Sequence, residues 1–161
     1  MIKNKKVLFF GGVFSQWFKS PMEIDGITYN CCEQYMMYRK AIMFGDEDRS
    51  LQIIRSKDPK YQKKVGRQVE GFDINIWNSV CKDIVFRANM TKFTQNLTLQ
   101  DELLKYDYDN IFVEASPYDK VWGIGLDANN PKAWDEETWE GTNWLGEQIT
   151  KVRDSLITTL S

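Results

Sequence analysis

The feature that most constrains the fold is a run of mostly apolar residues between positions 30 and 45. Its Tyr, Met, Ala, Ile and Phe side chains would point to nearly every side of a helix. Asn30 is a favourable N-cap residue, and Gly45 is a favourable residue just beyond a helix C-terminus. A helix that is apolar nearly all round is normally buried, so this run predicts a buried central helix.

Three charged residues, Glu33, Arg39 and Lys40, interrupt the apolar run. Glu33 and Lys40 are about two turns apart, so both point off one face with a rise of about 10 Å between them. Buried charges are uncommon unless they are paired or functional. Two interpretations remain open here. Either Glu33 closes a capping box with Asn30 while Lys40 reaches solvent, or both side chains belong to a functional site.

The composition limits which chemistry is available. The chain has no histidine, which excludes Ser-His-Asp and Cys-His catalysis and the HExxH class of zinc site. Its three cysteines lack zinc-binding spacing, so we predict neither a metal nor a cofactor. Acid–base chemistry would have to use Asp, Glu, Lys, Tyr or Cys side chains. The net charge of -2 gives no overall attraction to nucleic acid.

Length and hydropathy indicate the general class of protein. A chain of 161 residues is the size of one domain, and we predict a single domain over 1–161. Cys31, Cys32 and Cys81 form no disulfide framework, which favours free thiols in a reducing compartment. The first residues lack the apolar run of a signal peptide, and no run is long enough to span a membrane. We therefore expect a cytoplasmic protein with no membrane partner.

Turn and capping residues divide the rest of the chain into helices and short strands. Asp46, Asp58 and Asp73 precede helical patterns and are predicted N-caps. The patterns predict strands at 7–10, 27–29 and 110–115, and helices at 46–55, 59–66, 73–93, 98–106 and from 143 onwards. The segment 116–141 is mostly loop, and a loop of that length is usually functional. The predicted fold class is α+β, mainly α-helical, with a small β-sheet.

Four polar and aromatic clusters are candidates for a functional site. They are residues 15–18, the pair Glu33 and Lys40, residues 114–125 and residues 141–146. The last cluster leads into a helix through Asn143, where free backbone N–H groups would suit a phosphate; an ordinary N-cap is the alternative. The loop tryptophans either stack on a base or ribose or fill the core. Trp77 lies on a helix stripe, which favours packing.

Taken in order, these motifs resemble the NADAR family, also called YbiA-like. The resemblance extends from about Phe10 to Leu156. It rests on Phe14-Ser-Gln-Trp-Phe18, Glu33-Gln-Tyr-Met-Met-Tyr-Arg-Lys-Ala41, Trp77, Met90-Thr-Lys-Phe93-Thr-Gln-Asn96, Leu103-Leu104, Glu114-Ala-Ser-Pro-Tyr-Asp119-Lys-Val-Trp122-Gly-Ile-Gly125, Gly141-Thr-Asn143-Trp-Leu-Gly146 and Arg153. Many family members have histidine directly after the motif glutamate, whereas this chain has Gln34.

The resemblance implies a mostly helical, YbiA-like fold that acts on ADP-ribose or related ribosyl-nucleotide conjugates. Known family activities hydrolyse N-glycosidic bonds. One group cleaves phosphoribosyl pyrimidine intermediates of riboflavin synthesis, and another removes ADP-ribose from guanine in DNA. The expected partner is therefore a nucleotide-type small molecule, with ADP-ribosylated DNA as a further candidate. Neither activity needs a metal.

The resemblance also implies roles for particular residues. N-glycoside cleavage passes through a cation-like ribose, so Glu33 would stabilise that charge or position water. Lys40, as a neutral amine, would attack the anomeric carbon and form a Schiff base that water then releases. Asp119 would orient ribose hydroxyls or assist proton transfer. The expected substrate-binding residues are Ser15, Gln16, Trp17, Trp77, Trp122, Gly123 and Asn143.

A non-catalytic module that binds ADP-ribose or NAD is the alternative function. Binding alone needs neither Glu33 nor Lys40, so the presence of both favours an enzyme. A purely structural or adaptor domain would leave the aromatic loop at 116–141 unexplained.

Overall fold

The computed structural model describes residues 1–160, which divide into two units. Unit 1 combines residues 1–15 with the segment that begins at Thr98, and unit 2 is the continuous segment Gln16–Leu97. The single domain predicted over 1–161 stays a prediction, and residue 161 lies outside the described part of the chain. Each unit has its own secondary structure and its own buried side chains.

Five strands and six α-helices form within residues 1–160. The strands are β1 (Ile2–Lys3), β2 (Lys6–Phe9), β3 (Met22–Ile24), β4 (Ile27–Tyr29) and β5 (Ile111–Glu114). The helices are α1 (Cys32–Met43), α2 (Glu47–Arg55), α3 (Pro59–Gly66), α4 (Ile74–Gln95), α5 (Leu97–Leu104) and α6 (Trp144–Leu160). The predicted α+β class, mainly helical, is confirmed. None of these helices combines the length and apolar character that crossing a membrane requires.

Unit 1 is built on a mixed three-stranded sheet in the order β1-β2-β5. β1 and β2 are antiparallel, whereas β2 and β5 are parallel, and α6 packs against β5. Small apolar side chains of the sheet and the long loop form a buried cluster of Leu8, Val113, Ala115, Ile124, Leu126 and Ala133. Trp134 and Trp139 pack against this cluster, so these two loop tryptophans fill the core.

A buried arginine on α6 anchors the turn that precedes β5. The Arg153 guanidinium is fully buried and donates to the carbonyl oxygens of Asp107, Tyr108 and Asn110 at 2.7, 3.0 and 2.5 Å. Its Nε also donates to the Asp154 carboxylate at 2.8 Å. The planar guanidinium presents its donors in the directions of these acceptors. It also lies over the Phe112 ring, with Cζ 5.5 Å from the ring centroid.

Unit 2 packs three helices and the β3–β4 hairpin around α1. Helices α2, α3 and α4 all contact α1, whose buried positions confirm the predicted central helix. Its C-terminus follows the prediction at Gly45, which has φ 71°. The N–H groups of Gly45 and Asp46 donate to the carbonyl oxygens of Ile42 and Ala41 at 3.1 and 2.9 Å, the bond pattern that ends many helices at glycine.

The capping predictions for the other helices of unit 2 are confirmed. The carboxylates of Asp46, Asp58 and Asp73 accept backbone N–H groups from the first turns of α2, α3 and α4. The predicted end of α4 is too early, because the helix continues to Gln95. The Asn96 side chain donates to the carbonyl of Lys92 at 3.0 Å, and this bond supports the additional turn.

Candidate active site

The first turn of α1 differs from the sequence prediction. The predicted N-cap, Asn30, lies one residue outside the helix, and the N-cap is Cys31, whose side chain makes no capping bond. The Asn30 side-chain amide instead donates to a backbone carbonyl of the α2–α3 loop, 2.6 Å away. Gln34 occupies the N3 position, and its Oε1 accepts the Asn30 N–H at 2.7 Å. The capping-box interpretation of Glu33 is therefore wrong.

Glu33 is buried at the second position of α1, with 4% of its surface exposed. Its backbone N–H donates to the Gln16 carbonyl at 3.0 Å, and this bond connects the start of α1 to the segment 15–18. Gln16 is also buried, and its Oε1 accepts from Asn89 Nδ2 at 2.9 Å. Within residues 1–160, Gln16 Nε2 has no hydrogen-bond partner. An unsatisfied buried donor costs about 1–3 kcal/mol, so this N–H group is a candidate donor to a substrate.

Lys40 lies against two aromatic rings near the far end of α1. Its Nζ is 4.4 Å from the centroid of the Phe72 ring and 5.9 Å from that of Trp77. Burial lowers the pKa of Lys40 from its usual value; the Glu33 carboxylate opposes this shift, and Arg67 adds to it. A lowered pKa increases the fraction of neutral amine, which is the nucleophilic form.

A cavity of about 540 Å³ opens beside Trp17 in unit 2, and we call it the Trp17 cavity. Among the described residues, its wall includes Lys19 and Lys57 and no acidic side chain. Trp17 is 42% exposed, and the Nζ of Lys63 lies 5.9 Å from the centroid of one of its rings. An exposed aromatic ring with lysines around it suits the flat base and the phosphates of a nucleotide.

Asp119 organises the loop at 116–125 in unit 1. Its Oδ1 accepts the backbone N–H groups of Val121 and Trp122 at 2.9 and 2.8 Å. A carboxylate that accepts from the residues two and three positions ahead closes a tight turn. These bonds give Asp119 a structural role in the loop, and its catalytic role stays a prediction.

Trp122 and Gly123 follow in the same loop. The Trp122 ring packs edge-on against Trp144 of α6, with centroids 5.6 Å apart. Gly123 is buried, and a Cβ atom there would lie 3.0 Å from the carbonyl oxygens of both Glu114 and Asp119. Such an approach is closer than ordinary van der Waals contact, so a side chain at this position would force the loop backbone to shift by a few tenths of an ångström.

Asn143 holds β5 rather than capping α6. It has φ 54° and is buried directly before the helix. Its Oδ1 accepts the Glu114 N–H at 2.9 Å, and its Nδ2 donates to the Phe112 carbonyl at 3.0 Å. Both ends of the amide are therefore bonded to the backbone of one strand, and the interpretation of Asn143 as an ordinary side-chain N-cap is wrong.

The backbone at the start of α6 is also hydrogen-bonded. The N–H groups of Asn143, Trp144 and Leu145 donate, in that order, to the carbonyls of Gly123, Val121 and Trp122, at 3.0, 3.1 and 3.1 Å. The prediction that these groups are free for a phosphate is therefore wrong. These N–H groups instead hold the 116–125 loop against the start of α6, a contact that the sequence did not reveal.

The predicted site residues fall in both units. Those of unit 2 are Gln16, Trp17, Glu33, Lys40 and Trp77. Those of unit 1 are Ser15, Asp119, Trp122, Gly123 and Asn143. Within unit 2, hydrogen bonding brings Gln16 to Glu33, and the ring contact brings Trp77 to Lys40. Within unit 1, Ser15 donates its N–H to the carbonyl of Gly12 at 3.0 Å and ends a short 3-10 helix.

Lys92 of α4 is a buried charged residue to which the sequence analysis gave no role. None of its surface is exposed. It continues the buried stripe of α4 that begins at Trp77 and passes through Cys81, Val85 and Ala88 at helical spacing. A lysine on an apolar stripe is the sequence signal that would have identified it.

Comparison with known proteins places this architecture. The NADAR domain profile matches residues 8–157. The chain belongs to the NADAR family. An NMR structure of the Escherichia coli protein YbiA has a TM-score of 0.79 and 26% sequence identity to this NADAR chain. That similarity covers 100% of this chain and 90% of the YbiA chain.

Two further NADAR relatives are closer in sequence. An N-glycosidase of Acanthamoeba polyphaga mimivirus is 37% identical over 167 residues, covering 95% of this chain and 98% of the viral protein. The protein irg-1 of Caenorhabditis elegans is 40% identical over 134 residues, which is 82% of this chain. The match spans 63% of the nematode protein and nearly all of the viral one.

Proposed function

We propose that this NADAR protein is an N-glycosidase that hydrolyses the N-glycosidic bond of a ribosyl-nucleotide conjugate. The mimivirus relative, similar along nearly its whole length, is named an N-glycosidase. The observation that carries the proposal lies in unit 2. The buried Glu33 and the partly buried Lys40 share α1 and interact electrostatically, and the pKa of the amine is lowered.

Glu33 supplies negative charge where the reaction develops positive charge. When the N-glycosidic bond breaks, the electron pair goes to the base nitrogen and positive charge develops on the ribose. A buried carboxylate stabilises this charge more strongly than one in water, because the local dielectric is low. Gln16 Nε2, which lacks a partner within residues 1–160, would donate to a substrate oxygen and hold the ribosyl group beside Glu33.

Lys40 acts as the nucleophile in its neutral form. Its amine forms a bond to the anomeric carbon as the bond to the base breaks, and the base nitrogen takes up a proton. The ribose ring then opens to a Schiff base, and the ring oxygen takes the proton that the amine loses. One water adds to the Schiff base and restores the free amine. The net reaction therefore consumes one water and releases the base and a ribosyl product.

The Trp17 cavity supports a nucleotide-type substrate. Its exposed ring offers a stacking surface, and Lys19 and Lys57 offer positive charge for phosphates. We propose two candidate substrates: ADP-ribose attached to guanine in DNA, and a phosphoribosyl pyrimidine intermediate of riboflavin synthesis. Both are N-glycosides that carry phosphate, so the cavity is compatible with either.

Incubation with each candidate substrate, followed by mass spectrometry of the products, tests the proposal. We expect one substrate to lose its ribosyl group. Borohydride added during turnover should attach the ribosyl fragment to the wild type and not to Lys40→Arg, since an arginine stays protonated. Lys60→Arg is the matched control, because Lys60 is an exposed lysine of α3. Failure to cleave either bond, or trapping on Lys40→Arg, would contradict the proposal.

A further inference from the structure

Unit 2 contains a second lysine that the Glu33 and Lys40 chemistry does not use. Lys92 is fully buried, and its Nζ lies 5.0 Å from the centroid of the Phe93 ring and 5.7 Å from that of Phe18. Moving an ammonium group out of water is costly, and removal of its counter-charge makes it more so. Burial lowers the pKa of Lys92, so this lysine keeps its proton only where a nearby anion opposes that shift.

Electrostatic interactions connect Lys92 to the first turn of α1. Burial raises the pKa of the Cys31 thiol to about 11 and that of the Cys32 thiol to about 12. Glu33 adds to both shifts, and Lys92 opposes both. The carboxylate and the ammonium are thus both within electrostatic range of the same two thiols. Because thiols with such pKa values are neutral at pH 7, Glu33 is the side chain of this turn that can supply a negative charge.

Hydrogen bonds fix the face of α4 that carries Lys92 against the same turn. Asn89 lies three residues before Lys92, so the two side chains share one face of the helix. Asn89 Oδ1 accepts the Cys32 thiol at 3.7 Å, and Asn89 Nδ2 donates to Gln16 Oε1 at 2.9 Å. The Gln16 carbonyl in turn accepts the Glu33 N–H at 3.0 Å. This chain of contacts leads from α4 to Glu33 entirely through buried residues.

We propose that Lys92 is a positioning residue whose buried ammonium provides the counter-charge that keeps the Glu33 carboxylate ionised and in place. This role rests on the proposed N-glycosidase function, and it assigns a third charged side chain to the reaction. The two lysines then have different tasks. Lys40 supplies a neutral amine to the substrate, whereas Lys92 acts on the substrate only through Glu33.

The kinetic test compares Lys92→Met, which removes the charge, with Lys92→Arg, which keeps it. With whichever candidate substrate the mass-spectrometric test shows to be cleaved, Lys92→Met should lower kcat by about 100-fold with little change in KM. The step that Glu33 contributes to the acidic limb of the kcat–pH profile, distinct from the step due to Lys40, should move to higher pH, because Glu33 would hold its proton more tightly. Lys92→Arg should recover part of kcat and restore the position of this step. Lys64→Met, at an exposed lysine of α3, controls for the change in net charge.

A stability test keeps the inference open to refutation even if turnover is absent. Lys92→Met should be less favourable for the melting temperature in the wild-type background than in the Glu33→Gln background, because only the wild-type background keeps a buried Glu33 carboxylate, which then interacts with Lys40 and no longer with Lys92. An additive double variant would overturn the pairing. Unchanged kcat and an unmoved Glu33 step in Lys92→Met would overturn the positioning role while leaving the proposed function intact. Non-additive changes in melting temperature in a protein that cleaves neither substrate would contradict the proposed function instead.

Discussion

The Nζ of Lys40 lies 4.4 Å from the centroid of the Phe72 ring, and burial lowers the pKa of this amine. Burial therefore makes the amine of Lys40 more reactive, and it also makes the protonated form of this lysine unfavourable for folding. The neutral amine that burial favours is the form that attacks an anomeric carbon. A basic group with a lowered pKa in the folded state binds its proton less tightly there, so protonation opposes folding.

Turnover should rise with pH across the lowered pKa of Lys40. The reason is that only the neutral amine forms the Schiff base, and its fraction increases as the pH passes that pKa. Steady-state kcat measured from neutral to alkaline pH checks this, with Lys60→Arg as a control that should follow the wild-type curve. A flat profile would argue against an amine nucleophile.

Replacement of Lys40 by methionine should raise the free energy of unfolding at neutral pH while abolishing turnover. Methionine fills the same space against Phe72 without a charge to bury. The gain should be largest below the lowered folded-state pKa and should vanish as the pH rises through the pKa of a free lysine. Urea denaturation at several pH values measures it. A Lys40→Met variant less stable at every pH would mean that the cation–ring contact outweighs burial.

Substitutions at the neighbouring residues Glu33 and Gln34 should have different effects, on kcat at Glu33 and on the free energy of unfolding at Gln34. Gln34 exchanges hydrogen bonds of 2.7–3.2 Å with four backbone groups, those of Asn30, Ile53, Ile54 and Ser56. Gln34→Ala should therefore cost about 2–4 kcal/mol of stability. Glu33→Gln keeps the side-chain shape and should lower kcat by about 100-fold. Chemical denaturation and steady-state kinetics on both variants check this, and full activity of Glu33→Gln would remove Glu33 from the mechanism.

Loss of the Asn143 side chain should affect folding rather than phosphate binding. Asn143→Ala removes both bonds to β5 and leaves buried backbone groups unpaired, at a cost of about 2–4 kcal/mol. Asn143→Gly loses the same bonds but tolerates the positive φ, so it should be more stable than the alanine variant by about 1 kcal/mol. Guanidinium denaturation measures both values. Equal stabilities of the two variants would mean that φ strain contributes nothing.

Neutralising the lysines of the Trp17 cavity should weaken substrate binding. Lys19→Ala/Lys57→Ala should raise KM by about tenfold, the equivalent of two exposed contacts of roughly 0.7 kcal/mol each. The control Lys60→Ala/Lys64→Ala makes the same change in net charge on exposed side chains of α3. Kinetics at low and high salt should show the difference shrinking as salt increases. Equal effects of the two double variants would indicate general electrostatics rather than a site.

Local features of this chain were predictable because their causes are local. Asp46, Asp58 and Asp73 cap the helices that follow them through bonds to residues two or three positions away. The same reasoning failed for Asn30, because its amide bonds to the α2–α3 loop and to Gln62, which are distant in sequence. A tertiary contact replaced the local cap, and the helix start moved with it.

The candidate site was predictable in its residue types and less so in its surroundings. The apolar run identified Glu33 and Lys40, since charges on a buried helix are conspicuous. The aromatic contact of Lys40 is made by Phe72, which lies in a short segment between helices. That segment has no periodic pattern from which the contact could be predicted. Lys92 was missed because its setting is created by α1, a helix some sixty positions earlier in the chain.

The parallel pairing of β2 with β5 joins residues 6–9 to residues 111–114. Ribosomes extend a chain by about 5–20 residues per second, so β2 of a nascent chain waits on the order of 5–20 s for β5, while all of unit 2 emerges. An unpaired strand edge is a template for pairing with other chains. The interval between the synthesis of β2 and that of β5 is therefore the period in which the β2 edge is open to pairing with another chain. Codon usage and chaperone binding along residues 10–110 would act on that interval.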